Sequence, residues 1–257
     1  MIHSQAMPRA ILALLACLLY FSIPLEASAR RTPVQTSREP RIITRAEWGA
    51  DESLGVVSAD HQAGITGEEE INKTTRRGRP TQLSAKEKNC RELLRNNPED
   101  FEVRYTEYDD GNGYFYSWPR RYSPSVKAVV IHHTGESESV EMSKLSGSER
   151  MRAIYKWHTQ TNGWGDIGYH YVIDKKGVIY EGRAGGASVV GAHVYCANVG
   201  TIGIALIGNF QHRNPTEKQL KSLRWLLIEK TQQYGIRPRG RTLFRGQSIP
   251  TIVSHRD

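Results

Sequence analysis

The sequence contains few cysteines, and their spacing excludes one kind of metal site. Only three cysteines occur in 257 residues, and no two of them form a CxxC pair. Structural zinc sites built on cysteine use such closely spaced pairs, so a cysteine-cluster zinc site is excluded. Internal repeats and low-complexity tracts are also missing. Hydrophobic residues make up 38% and charged residues 24% of the chain, so wholesale disorder is excluded as well.

Long apolar runs are missing too. The longest, ILALLACLLYFSIPL, is shorter than the roughly 20 residues that span a bilayer comfortably. It follows a short basic region closed by Arg9 and precedes ASA, which ends at Ala29. This order is typical of a secretory signal peptide. We predict that residues 1–29 are a signal peptide, with an uncleaved anchor helix as the alternative, and that the protein is secreted, periplasmic or part of the cell envelope.

Two cysteines remain outside this segment, Cys90 and Cys196. Export from the cytoplasm would allow a disulfide between them. Two separate thiols fit the sequence equally well, so the pairing stays open at this point.

The charge is strongly positive. A formal net charge of +8 at pH 7 favours an acidic partner, such as a wall polymer, an anionic lipid surface or nucleic acid. Part of it comes from the run RPRGRTLFR, which is either a solvated loop or an anion-binding surface. No nucleic-acid motif or aromatic stacking platform accompanies this run, and we therefore predict that the exported chain does not bind nucleic acid.

The chain divides into regions of different composition. Residues 30–40 are predicted to be a polar linker, and RIITRAEWGA (41–50) is the first segment with apolar residues to bury. Residues of about 51–125 are polar, and a structureless loop of that length is uncommon in a compact domain. We predict an insertion with some structure of its own. Within it, SAKEKNCRELLRN is a candidate helix with Ser84 and Glu87 as its capping box.

From Lys127 onward the pattern indicates alternating strands and helices. KAVVIHH, TIGIALIG and IPTIVSH are predicted strands, and YHYVIDKKGVIYEGR is a predicted hairpin that turns at Gly177. Two helices are predicted, one capped by Ser146 and one running from Thr216 to a stop at Gly235. This order predicts an α/β fold in which a mixed central β-sheet is flanked by helices.

Two histidines stand at the ends of predicted strands. His132 ends VVIHH with its neighbour His133, and His255 ends IVSH. The carboxyl ends of strands in open α/β sheets are where ligands gather, and neutral imidazole is the commonest zinc donor. A buried histidine bonded to backbone is the alternative for each of them.

The motifs around these histidines resemble one family. In order, VVIHHT, GDIGYHYVID, GVIYEGR, GAHVY, TIGIALIGNF and SHRD are similar to the type-2 N-acetylmuramoyl-L-alanine amidases, which include the peptidoglycan recognition proteins. RAEWGA resembles the start of the recognition-protein domain. The resemblance covers about 41–50 and 127–257, so we predict a single amidase-like domain over 41–257 with the insertion at about 51–125.

The resemblance implies roles for individual residues. His132 and His255 match two zinc ligands, Tyr169 matches a catalytic residue beside the zinc, and His193 matches a substrate-binding position. A packing role on the sheet is the alternative for Tyr169, and a structural role is the alternative for His193. Alternation along the strand turns His133 to the opposite face. Two further histidines match no family role and are expected to pack or lie at the surface: His158 and His170.

One family ligand is missing from the sequence. The resemblance places a cysteine or aspartate about eight residues after His255, beyond Asp257, which itself matches a non-ligand position. We therefore expect a C-terminally truncated site that binds zinc weakly and hydrolyses poorly.

The implied function is zinc-dependent hydrolysis of the amide bond between N-acetylmuramic acid and L-alanine in peptidoglycan. Zinc would activate the water, and Tyr169 would stabilise the oxyanion or orient the water. The alternatives are a non-catalytic peptidoglycan receptor on the same fold and a zinc peptidase acting on the stem peptide. We expect a monomer that binds muramyl peptides and has no stable membrane span after signal cleavage.

Overall fold

The structure is a computed structural model that describes residues 40–58, 85–96, 102–104, 107–109, 114–117, 120–135 and 144–255. The predicted signal peptide, nearly all of the predicted linker and the predicted cap Ser84 lie outside these residues. Within them, no helix is both long enough and apolar enough to cross a membrane.

The described residues form thirteen strands and four α-helices. In chain order the strands are β1 Ile42–Ile43, β2 Val56–Ser58, β3 Glu102–Arg104, β4 Glu107–Asp109, β5 Tyr114–Ser117, β6 Arg120–Tyr122, β7 Ala128–His133, β8 Tyr171–Ile173, β9 Ile179–Glu181, β10 Thr201–Leu206, β11 Arg241–Phe244, β12 Gln247–Pro250 and β13 Ile252–Ser254. The α-helices are α1 Arg45–Trp48, α2 Ala85–Asn96, α3 Gly147–Lys156 and α4 Glu217–Gln233. A 3-10 turn covers Glu52–Gly55, and a π-helical turn, Trp157–Thr161, extends α3.

The central sheet has six strands in the order β1-β9-β8-β10-β7-β13. Strand β10 is parallel to both β7 and β8, and β13 is parallel to β7. Only the β8–β9 pair is antiparallel, and it is the predicted hairpin, with Gly177 at a positive φ of 80° in its turn. The predicted mixed α/β sheet flanked by helices is confirmed.

Helices cover both faces of this sheet. On one face, Leu223 and Leu226 of α4 pack against Ile173 and Ile204. On the other face, Met151 and Tyr155 of α3 join a second apolar cluster that includes Val172, the neighbour of Ile173 on β8. Since strand side chains alternate between faces, this arrangement explains why the strands read as continuous apolar runs.

Both helices begin with the predicted capping boxes. Ser146 accepts from the backbone of Glu149, whose carboxylate accepts from the Ser146 backbone. Thr216 and Gln219 make the same exchange at α4, which ends before Gly235, a residue with φ of 64°. These bonds satisfy N–H groups that have no partner inside the helix.

Removing the α3 cap is expected to have a small and measurable effect. Ser146→Ala leaves the first-turn N–H groups without their acceptor and should lower the free energy of unfolding by about 1 kcal/mol. Urea titration followed by circular dichroism measures it. Ser148→Ala, in the same turn, is the matched control. Equal midpoints for the two variants would show that the cap does not contribute.

The segment RAEW anchors the N-terminal end of the described domain. Arg45 is buried, and it pairs with Asp166 at 3.0 Å and with Glu52 at 2.8 Å. Trp48 is fully buried, and its indole donates to the Glu181 carbonyl at 2.8 Å. The Arg45 guanidinium also lies over the Tyr155 ring, 4.8 Å from its centroid. These contacts tie α1 to α3 and to strand β9.

Two small sheets lie in the region predicted as an insertion. One has the strand order β2-β5-β4, and the other pairs β3 with β6. An isolated antiparallel β-bridge joins Tyr122, the last residue of β6, to Val189. This region therefore has secondary structure of its own, while its limits at about 51 and 125 stay a prediction.

The predicted strand IPTIVSH is divided in the structure, and this prediction was wrong in part. Its first residues belong to β12, which pairs with β11 in a hairpin, and only Ile252–Ser254 joins the central sheet. Thr251 lies between them, with its hydroxyl donating to the Arg237 carbonyl at 2.6 Å. Pro250 cannot donate a ladder hydrogen bond, so the run changes partners at this point.

Candidate functional site

His132 and His255 come together because their strands are parallel neighbours. Ser254 is paired with Ile131, and the His255 backbone N–H donates to the Ile131 carbonyl at 3.1 Å. The two rings lie with their centroids 4.8 Å apart. His132 is buried and His255 is exposed, so the pair stands at the carboxyl edge of the sheet with one ring facing solvent.

His193 lies against His132 from the neighbouring loop. Its Nδ1 is 3.0 Å from Nε2 of His132, and its side chain is buried. Space for the ring comes from Gly203 and Gly191, because a Cβ at either position would fall 2.5 Å from a His193 ring carbon. Any side chain at residue 203 would therefore displace this imidazole. The structure therefore places the buried His193 ring directly against His132.

A third imidazole fixes the backbone below His193. His170 accepts from the Gly203 N–H through Nδ1 at 2.9 Å, and its Nε2 lies 2.7 Å from the Val189 carbonyl. The Val189 carbonyl can only accept, so His170 carries its proton on Nε2. The ring of His170 lies edge-on to that of His193, with centroids 5.4 Å apart.

Tyr169 forms the other side of the cluster. It is half-buried, and its ring centroid lies 5.3 Å from that of His132. His158 lies behind it at 5.6 Å and accepts the Gly168 N–H through Nδ1 at 3.1 Å. The segment that carries Tyr169 is thus fixed by a buried histidine of the turn after α3.

His133 points away from this cluster, as strand alternation predicts. Its ring stacks on Phe210, and its Nδ1 accepts the Phe210 N–H at 3.1 Å. The two adjacent histidines of β7 therefore serve different parts of the molecule.

Burial keeps four imidazoles neutral, those of His132, His158, His170 and His193. It is the largest influence on each, and the nearby His255 adds to it for His132, whose pKa falls to about 3. Burial lowers the pKa of His158 and of His170 to about 4, and the pKa of His193 lies well below its ordinary value. Neutral imidazole is the form that binds metals.

Comparisons with known proteins identify the family of the chain. The profile of the family described as N-acetylmuramoyl-L-alanine amidase matches residues 122–257, which is more than half of the chain. The chain belongs to this amidase family. Human N-acetylmuramoyl-L-alanine amidase is 37% identical over 96 residues, which cover 37% of this chain and 16% of the human protein. The chain therefore spans only a small part of that relative.

Two other proteins that this amidase-family chain matches carry the name peptidoglycan recognition protein. Peptidoglycan-recognition protein SC2 of Drosophila simulans is 33% identical over 130 residues, which cover 47% of this chain and 68% of the relative. The crystal structure of Drosophila peptidoglycan recognition protein SD aligns with a TM-score of 0.46 and 23% identity, covering 85% of this chain and 84% of that one.

Both residues of this amidase domain that are predicted as zinc ligands, His132 and His255, lie in the described part of the chain. Their ring centroids lie 4.8 Å apart, and imidazole is a ligand that zinc accepts. No group of three His, Cys, Asp or Glu residues suited to a metal occurs among the described residues. A third protein donor would have to come from outside them, and Asp257 is not described.

The sequence did not show how three histidines of this amidase domain pack together. His193 was predicted at a substrate-binding position, with a structural role as the alternative, and His158 and His170 were expected to pack or lie at the surface. The structure buries all three around His132 and Tyr169. The glycines opposite them were the available signal, because a glycine inside an apolar strand indicates a close approach.

Stability of the amidase domain is expected to fall as the pH drops below about 6.5. His158 and His170 have a pKa of about 4 in the folded state and 6.5 ordinarily, so the unfolded chain binds protons first. Each histidine should cost roughly 3 kcal/mol of unfolding free energy between pH 6.5 and pH 4. Urea unfolding at several pH values measures the slope, which should be shallower in His170→Gln. A flat profile between pH 7 and pH 5 would contradict the neutral state.

Proposed function

We propose that this protein hydrolyses the amide bond between N-acetylmuramic acid and L-alanine in peptidoglycan, with zinc as cofactor. The observation that carries the proposal is the cluster of His132, His255 and Tyr169 at the carboxyl edge of the central sheet. Family membership supports the reaction class. The positive charge suits a substrate whose stem peptides carry carboxylates.

In this proposal His132 and His255 hold the metal. Nε2 of His132 is turned to His193, so the nitrogen left for a metal is Nδ1. His132 must then carry its proton on Nε2 and donate it to Nδ1 of His193, which fixes both the tautomer and the ring plane. Zinc, when bound, lowers the pKa of its water and polarises the amide carbonyl. His193 thus has an orienting role, in addition to any contact with substrate.

Tyr169 is proposed as the catalytic residue that faces the reacting carbonyl. A phenol donates a hydrogen bond, and such a donor stabilises the negative charge that develops on the carbonyl oxygen. The fixed Gly168 backbone and the neighbouring His158 ring limit where Tyr169 can point. A donor held in place before the reaction needs little reorganisation during it.

A non-catalytic peptidoglycan receptor is the second candidate. It is favoured by the relatives that carry the name peptidoglycan-recognition protein, such as SC2 of Drosophila simulans. A receptor needs a surface that binds peptidoglycan and does not need the metal, so it should bind peptidoglycan without releasing product.

The signal-like N-terminus supports a location outside the cytoplasm. We propose that the protein meets peptidoglycan there, as a monomer and without a membrane span after cleavage of residues 1–29.

A product assay separates the candidates. The full-length protein, with any residues that follow Asp257, is incubated with purified peptidoglycan, with zinc or with a chelator, and new amino termini are labelled and identified. Free L-alanine amino termini that appear only with zinc support the amidase. Retention on insoluble peptidoglycan without release supports the receptor. Free amino acids released from peptides still attached to muramic acid would indicate a stem-peptide peptidase.

A further inference from the structure

A disulfide joins the inserted region to the loop that carries His193. Cys90 on α2 is bonded to Cys196, with their Cα atoms 5.8 Å apart and a separation of 106 positions in sequence. The Cys90 side chain is buried. Cys196 follows His193 by three residues, so a covalent bond reaches the base of the histidine cluster from a distant part of the chain.

The loop of residues 193–198 is held in a tight conformation. The Asn198 side-chain oxygen accepts from the backbone N–H of His193 at 2.8 Å and from that of Val194 at 2.9 Å. The Ala197 N–H donates to the Val194 carbonyl at 3.0 Å. Within this turn Cys196 has a φ of 64°, a left-handed conformation that costs a residue with a Cβ about 1 kcal/mol or more.

Two independent features therefore fix the backbone beside His193. Asn198 accepts from the N–H of His193 itself, and the disulfide ties Cys196, which has a rarely adopted backbone conformation, to α2. On its other side the His193 ring is confined by Gly191 and Gly203. The ring can move little without the loop moving, and the loop is fastened to α2.

We propose that the Cys90–Cys196 disulfide and Asn198 are positioning groups that hold Nδ1 of His193 at Nε2 of His132. This inference deepens the proposed function. Its consequence for zinc binding rests on the proposal that His132 is a metal ligand. The hydrogen bond between the two imidazoles does not depend on that assignment. The inserted region thereby contributes to the site through a covalent bond and not through contact with substrate.

The size of the effect follows from what outer partners of metal ligands contribute. Loss of such a partner lowers metal affinity by roughly 10–100-fold. Loosening the loop weakens the partner without deleting it, so we expect zinc affinity to fall by about 10-fold when the disulfide is removed. Stability should fall as well, because the bond closes a long loop of the unfolded chain.

Two variants test the proposal with a matched pair. In C90A/C196A the bond is lost, and the substituted alanine can relax out of the left-handed region. In C90A/C196G the bond is equally lost, but glycine keeps a positive φ at no steric cost. The population of the His132–His193 hydrogen bond should be highest in the wild type, lower in C90A/C196G and lowest in C90A/C196A. It should also be lower in Asn198→Ala than in the wild type.

The readouts separate positioning from stability and from the proposed function. Long-range proton–nitrogen NMR of the imidazoles in the metal-free protein reports the His132–His193 hydrogen bond, and chelator competition reports zinc affinity. An unchanged imidazole signal in folded C90A/C196A would overturn the proposal, even with a lower melting temperature. If that variant does not fold, the same signal is measured in C90A/C196G and Asn198→Ala, and an unchanged signal in both would overturn the proposal. Absence of zinc binding in the wild type would remove the metal-ligand assignment only.

Discussion

Replacing His132 by alanine is expected to abolish zinc-dependent peptidoglycan hydrolysis, with a fall of at least about 100-fold in the rate of product release. In the proposed site His132 is one of only two metal donors among the described residues and lies between His255, His193 and Tyr169. Removing it takes away a ligand and the partner of the His193 imidazole together. A mononuclear zinc site that loses a ligand loses most of its metal affinity.

The neighbouring residue provides the control. His133→Ala changes the same strand and the same residue type, but His133 contacts Phe210 and not the cluster. We expect this variant to keep its zinc affinity and product release, with a modest loss of stability from the Phe210 contact. Product release by His132→Ala at the wild-type rate, in a folded protein, would rule out the zinc site. Binding of peptidoglycan that survives in both variants would favour the receptor.

Asp166→Ala is expected to have the largest effect on stability, a loss of about 3–5 kcal/mol of unfolding free energy. Asp166 is buried and accepts from Arg45 at 3.0 Å, from the Ile167 N–H at 2.6 Å and from the Ala184 N–H at 2.9 Å. Burial disfavours the charge on Arg45, yet its hydrogen bond to Glu52 and the charges of Asp166 and Glu52 hold the pKa of Arg45 above its ordinary value. Without Asp166, the variant leaves a buried cation and two N–H groups short of a partner.

Glu52→Ala is the matched comparison, because Glu52 pairs with the same guanidinium. Its side chain is 50% exposed, whereas that of Asp166 is 12% exposed. An exposed partner contributes at most about 1 kcal/mol, since water replaces most of what it gives. Chemical unfolding of the two variants measures the difference. Similar losses in both would show that burial is not what makes the Asp166 contact strong.

Local sequence patterns predicted those parts of the fold that depend on local interactions. The caps at Ser146 and Thr216 and the turn at Gly177 depend on residues within four positions of each other, so the sequence contains all the information needed. The meeting of His132 with His255 was also predictable, because both stand at the carboxyl ends of strands in a fold that the resemblance implied.

Other features depend on contacts that no local pattern contains. The predicted strand is divided at Thr251 because its pairing with β11 ends at Pro250 and the residues after Thr251 pair with β7. The burial of His193 depends on a glycine of β10 that is ten residues away, and the Cys90–Cys196 pairing depends on where α2 lies. Each of these is decided by packing between distant segments, so a reading of one sequence leaves it open.

The parallel pairing of β7 with β13 also has a consequence for how the site forms during folding. The two proposed metal ligands are far apart in sequence, and β13 enters the sheet beside a strand made more than a hundred residues earlier. Such non-local pairing is slow, since the chain loses entropy on closing the loop before any contact compensates for it. A ribosome-bound chain cannot bring the two imidazoles together until residue 255 has emerged. Incomplete chains should therefore bind metal weakly. Tight metal binding should indicate that β13 has joined the sheet.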